Sequence, residues 1–167
     1  MVLTKSELIE NLQNEVRILQ HLITKIEPGM VDYRPTPKQR STMELLKYLT
    51  VMGPLLVKAG LSGSFDREEW GKRSAAVENA DLATVAATLA AHSQEYQDLL
   101  ANVPDDAFRK DVDIFGNNTT AGSFIVRMVL GGCAAYRTQL FCYLKACGRG
   151  ELGTMNLWGG IDPPPAP

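Results

Sequence analysis

Little in this chain of 167 residues supports a small secreted or metal-built protein. It has three cysteines and two histidines. Cys133, Cys142 and Cys147 all fall in the last third, and an odd number clustered there does not make a disulfide framework. Their spacing also fails CxxC and zinc-knuckle patterns, so they read as reduced thiols used as small hydrophobes. Aromatic residues make up 7% of the chain, so the core must be built mainly from aliphatic side chains. Charge of one sign is not concentrated either: 17 Lys and Arg stand against 19 Asp and Glu, scattered along the chain. The basic stripe that a phosphate-backbone binder needs is missing, which argues against nucleic acid. No run is expected to reach the roughly 18 apolar residues of a membrane span, and the N-terminus lacks a signal or transit pattern. A soluble, cytoplasmic protein is the expectation, with 167 residues forming one domain.

What is present is helical periodicity. Thr4 and Glu7 make a capping-box pair, followed by Leu8, Leu12, Val16, Leu19, Leu22 and Ile23 at helical spacing, up to Pro28-Gly29. Ser41 and Glu44 make a second box. The inward face Met43, Leu46, Leu49 and Met52 follows it, and Gly53-Pro54 is expected to kink or end that helix. From Gly60 to Ala80 the pattern weakens and reads as a long connection, with Phe65 and Trp70 as its large anchors. Asp81 caps a third stripe through Leu82, Val85, Leu89, His92, Tyr96, Leu99 and Leu100, closed by Pro104. Val112 to Phe115 reads as a short strand or an extended turn. Thr119 or Thr120 opens the last helix, whose stripe runs Phe124, Met128, Gly131-Gly132, Ala135, Leu140, Tyr143 and Cys147 until Gly148. Glycine inside a helix costs about 1 kcal/mol relative to alanine, so this pair implies close backbone approach. Residues 149–167 read as an extended tail, with Trp158 expected to pack on the bundle.

Four amphipathic segments predict an all-α four-helix bundle, and the long second connection is able to cross its length, making helices 2 and 3 parallel. Tyr33-Arg34-Pro35, Ser41-Thr42-Met43-Glu44-Leu45-Leu46, Tyr136-Arg137-Thr138-Gln139-Leu140 and Tyr143-Leu144-Lys145 together resemble the DinB/YfiT-like proteins over nearly the whole chain. The resemblance implies an up-down-down-up four-helix bundle. It also implies, in many members, a divalent metal on one histidine of helix 2 and a His-x-x-x-His pair of helix 4, and in some members thiol-transferase or metal-dependent hydrolase activity. At the matching positions this chain has Tyr48, Gly132 and Tyr136. Glycine offers no ligand, and a phenol with a pKa near 10 is a poor one at neutral pH, so no metal and no cofactor is expected.

His21 falls with Glu10, Asn14 and Arg17 on the polar side of helix 1 and reads as surface or interface. His92 lies on an apolar stripe, which suits a core histidine with a satisfied hydrogen bond, one lining a cavity, or a ligand shared with Cys133. Tyr48, His92, Gly132 and Tyr136 are thus the pocket candidates: either hydroxyls and an imidazole lining a small polar site, or rings filling the space of a lost metal. Arg137 and Gln139 are expected to tie the last helix to the tail. The expected function is that of a metal-free, non-catalytic DinB-like protein that binds a small molecule or a protein partner. It would form a homodimer through helix faces, with Val51 and Met52 contributing. The alternative is a thiol transferase or metal-dependent hydrolase with a non-standard site at Tyr48, His92 and Tyr136.

Overall fold

The computed structural model describes residues 3–164. Four long helical segments form the body: α1 (Lys5–Ile23), α2 (Thr42–Ser62), α4 (Leu82–Leu100) and a last rod made of α5 (Ala121–Ile125), a π-helical turn (Val126–Leu130) and α6 (Gly131–Ala146). Both capping boxes form, Thr4 with Glu7 and Ser41 with Glu44, and Asp81 accepts from the Thr84 amide to start α4. These caps satisfy amides that a helix start leaves without partners.

Cross-links between the helices give their directions. Lys5 reaches the Ala101 and Val103 carbonyls, Gln13 the Ser93 carbonyl and Gln20 the Ala86 carbonyl, so α1 and α4 are antiparallel. Along α2, Lys47 meets the Glu78 carbonyl, Thr50 meets His92 and Lys58 meets Glu95, so α2 and α4 run the same way. The rod runs against α2: Gly60 packs on Phe124 and Ile125, Gly132 on Met52, and Tyr143 bonds the Arg40 carbonyl. The order is up-down-down-up, with the 63–81 connection crossing the length of the bundle.

That connection is not structureless. Asp66 caps a further helix, α3 (Arg67–Ala76), which the weak periodicity concealed because none of its residues is buried. It is held from its polar side, by Arg73 bonded to Glu69 and to Glu95 of α4. Strands β1 (Asp111–Ile114) and β2 (Asn117–Thr120) pair antiparallel as a hairpin before the rod, which fixes Thr120 as the rod's cap and puts Thr119 in the strand.

Further expectations need correction. α2 does not end at Gly53-Pro54 but continues to Ser62, and its most apolar 18-residue window meets the length and composition of a membrane span. In that window, 72% of the residues are buried inside the bundle, as suits a core helix. The tail is not simply extended: Met155–Gly159 forms a π-helical turn against α1, and Trp158 is 68% exposed rather than packed down. The tail's last residues, 165–167, lie outside the described residues. Val51 and Met52 are both buried within the chain, so they offer no face to a second copy.

Gly53 explains how α2 and α4 approach. A Cβ there would lie 2.0 Å from the Tyr96 hydroxyl, so the phenol seats directly on the α2 backbone. Tyr96 is itself buried, so its ring moves only by repacking its neighbours. Replacing Gly53 with Ala is expected to destabilise the fold by about 2 kcal/mol or more through overpacking, despite alanine's better helix propensity, as read from the urea midpoint.

Candidate functional site

Pro54 sets the chemistry at the centre of α2. A proline inside a helix has no amide hydrogen to give the carbonyl four residues back, here that of Thr50. His92 of α4 replaces it: its Nε2 lies 3.0 Å from the Thr50 oxygen. A carbonyl only accepts, so Nε2 carries the hydrogen. Burial holds the His92 imidazole below its ordinary pKa, opposed by Glu95 and by the bond to Thr50, with Arg73 acting in the same direction as burial. His92 is therefore occupied by a structural bond.

The tyrosines lie elsewhere. Tyr48 and Tyr136 meet edge to face with ring centroids 5.2 Å apart. Trp70 of α3 packs on Tyr48 at 5.8 Å, and the Arg40 guanidinium covers the Tyr48 ring at 4.1 Å. Burial first, then the hydrogen bond and charge of Tyr136, push the Tyr48 phenol up to about 12, so it stays protonated at neutral pH. At Gly132, a Cβ would lie 3.3 Å from Cε and 3.4 Å from Sδ of Met52. The methionine thus fills the space in front of the glycine. Tyr48, Gly132 and Tyr136 are on one side of α2, whereas His92 turns to Thr50.

A small cavity of about 20 Å³, enough for one water, is lined by Glu15, Leu49, His92, Tyr96 and Cys133 among others. Neither Tyr48 nor Tyr136 reaches it. His92 and Cys133 do share it, but burial pushes the Cys133 thiol up to about 12, far from the thiolate a metal or a nucleophilic reaction needs. Among the described residues no group of three or more His, Cys, Asp or Glu is placed to hold a metal ion. At the positions where the resemblance implies ligands, a divalent cation would find the protonated Tyr48 phenol, the Tyr136 ring, a bare glycine and a thioether, and this donor set does not fit it.

Beside the cavity lies a pair that the sequence reading undervalued. Glu15 of α1 and Arg137 of α6 form a buried ion pair, with Nε 2.9 Å from one carboxylate oxygen and Nη2 3.2 Å from the other. Arg137 also donates to the Leu157 carbonyl and lies under the Trp158 ring, so it does tie the rod to the tail. Gln139 does not: it bonds the Tyr143 hydroxyl on its own helix. His21 is half-buried against the tail, not a free surface residue. The available signal for Arg137 was a lone charge within the uncharged stretch 128–144, a position usually requiring a buried partner.

No protein-family model matches the chain, and no curated protein matches it by sequence. In three dimensions it is similar to a DinB-like protein, YjoA, from Bacillus subtilis, with a TM-score of 0.65 at 18% identity, covering 87% of this chain and 94% of the other. The fold is thus the DinB-like all-α fold.

Replacing His92 with Leu is expected to cost about 1–3 kcal/mol by leaving the Thr50 carbonyl without a donor. In a Pro54→Ala background the backbone amide returns and that cost shrinks, a coupling measurable by a double-mutant cycle in urea. Because folding lowers the His92 pKa, the folded state binds fewer protons, and the imidazole's share of stability is lost as pH falls below about 6.5.

Proposed function

We propose that this chain is a metal-free, non-catalytic DinB-like protein that acts by binding, and that a protein partner is favoured over a small molecule. The observation that carries this is the filling of the space between α2 and the rod by Tyr48, Tyr136 and Met52, beside a cavity with room for one water. Small-molecule sites are commonly several hundred Å³, more than ten times larger than the space at this position; the wider groove of about 770 Å³ lies away from it, between α2 and α3, and is lined by Lys58, Ser62, Asp66 and Glu69. The first test is metal content in protein made without a histidine tag. Less than about a tenth of an equivalent of zinc or nickel is expected, together with no thermal shift on adding either ion; stoichiometric, tightly held metal sinks the reading.

The register argument has its own check. Tyr48→His, Gly132→His and Tyr136→His combined with Met52→Ala is expected to bind zinc and raise the melting temperature with it, since residues four apart share a helix face.

The partner in this reading includes a second copy of the chain. Between Arg127 and Lys145 the one charged residue is Arg137, which is buried, leaving an outward face of Gly131, Ala135, Thr138 and Cys142 without charge. A two-fold interface must complement itself, which an uncharged face of small residues does without placing like charges together. Light scattering after size exclusion is expected to give twice 18.3 kDa, falling to the single-chain mass in Ala135→Glu.

A further inference from the structure

The tail is fastened to α1 by one buried amide. Asn156 is almost fully inaccessible, and both polar atoms of its side chain are bonded. Its Oδ1 accepts from the Gly153 amide at 2.9 Å. Its Nδ2 donates to Asp162 Oδ1 at 3.0 Å and lies 3.0 Å from His21 Nε2. The first two contacts fix which end of the amide is oxygen and which nitrogen, because an amide hydrogen needs an acceptor and a carboxylate needs a donor. His21 therefore meets an N–H and must accept at Nε2, which makes it the neutral Nδ1–H tautomer. Adding a proton sets N–H against N–H.

We propose that His21 is a proton-sensitive latch: its protonation frees tail residues 153–162 from α1, uncovering Ile18 and the Arg137 guanidinium while the four-helix body stays folded. The charged groups facing the imidazole are Lys25 and Arg17 from α1 and Asp162 from the tail, at 3.7 Å. Asp162 would attract an imidazolium, but its Oδ1 is held by Asn156 and its Oδ2 by Lys25 at 2.6 Å. Oδ1 has a lone pair to spare, but at 3.7 Å from Nε2 it is out of hydrogen-bond reach, so an imidazolium bonds it only by shifting off the Asn156 amide, which loosens the fastening. The tail has a tight seat to lose. Gly160 has φ +57, and a Cβ there would stand 3.0 Å from Ile18 Cα and 2.9 Å from Arg17 Nη1. Arg17 donates to the Gly160 carbonyl, and Arg137 to that of Leu157.

Burial, then Lys25, hold the His21 imidazole below its ordinary pKa, with Asp162 opposing and Arg17 adding to the effect. The docked tail thus binds fewer protons than the released one, and docking weakens as pH falls below about 6.5.

Hydrogen exchange by mass spectrometry between pH 7.5 and 5.5, corrected for intrinsic rates, tests the latch on the whole chain. Protection of residues 153–162 is expected to fall by up to about tenfold per pH unit below about 6.5, whereas α2 and α4 peptides stay protected, with only the loss that His92 imposes on the whole fold. His21→Gln, whose amide oxygen accepts without titrating, is expected to flatten that dependence. A tail whose protection ignores pH, or one whose pH dependence survives in His21→Gln, overturns the proposal. Should that variant not fold, imidazole nitrogen shifts of the unaltered protein decide the matter. A bare Nε2 with a protonated Nδ1 at pH 7.5 supports the latch, and a protonated Nε2 overturns it.

Discussion

The bond from His92 to the Thr50 carbonyl is the constraint on which the centre of the molecule is organised. Proline removes a donor from the middle of the most buried helix, and an orphaned carbonyl in that environment costs about 1–3 kcal/mol. A side chain on the neighbouring helix supplies the missing hydrogen. That requirement places α4 close to α2, with the Tyr96 ring seated on Gly53 one turn further along. The proline that reads as a kink or a helix end is thus a point of attachment between two parallel helices.

With His92 committed there, the region around Tyr48 and Tyr136 is stabilised mainly by packing. Two phenols, a tryptophan from the crossover helix and a stacked guanidinium form one aromatic cluster, and the Met52 thioether closes the gap at Gly132. Methionine suits this gap because its unbranched, polarizable chain fills irregular space. The polar chemistry has moved to the opposite flank, where Glu15 and Arg137 neutralise one another next to the tail.

The bundle was legible in the chain because long stripes with caps report directly on which faces are buried. Thr4, Ser41, Asp81 and Thr120 all cap the helices their positions suggest. α3 was not legible, since a helix held by Arg73 ion pairs and a few aromatic contacts carries no apolar stripe. Nor was the passage of α2 through Pro54, because the compensating donor sits 42 residues away in sequence. At the site, the side chains at 48, 132 and 136 were readable from register. Their separation from His92 was not, as it depends on which way an imidazole turns between two helices.

The wiring order has an electrical corollary. At one end of the bundle the starts of α2 and α4 stand side by side, opposite the finishes of α1 and α6, as the Lys47 and Arg149 contacts require. Each helix carries about half a positive charge at its start and half a negative charge at its finish. The four moments therefore cancel along the axis, yet leave one flank of this end positive and the other negative. Ionised side chains offset this division: Glu44 and Asp81 stand over the starts, whereas Arg149 lies on the Lys25 carbonyl just past the finish of α1. Each end of the bundle is thus divided across its width, in opposite senses at the two ends.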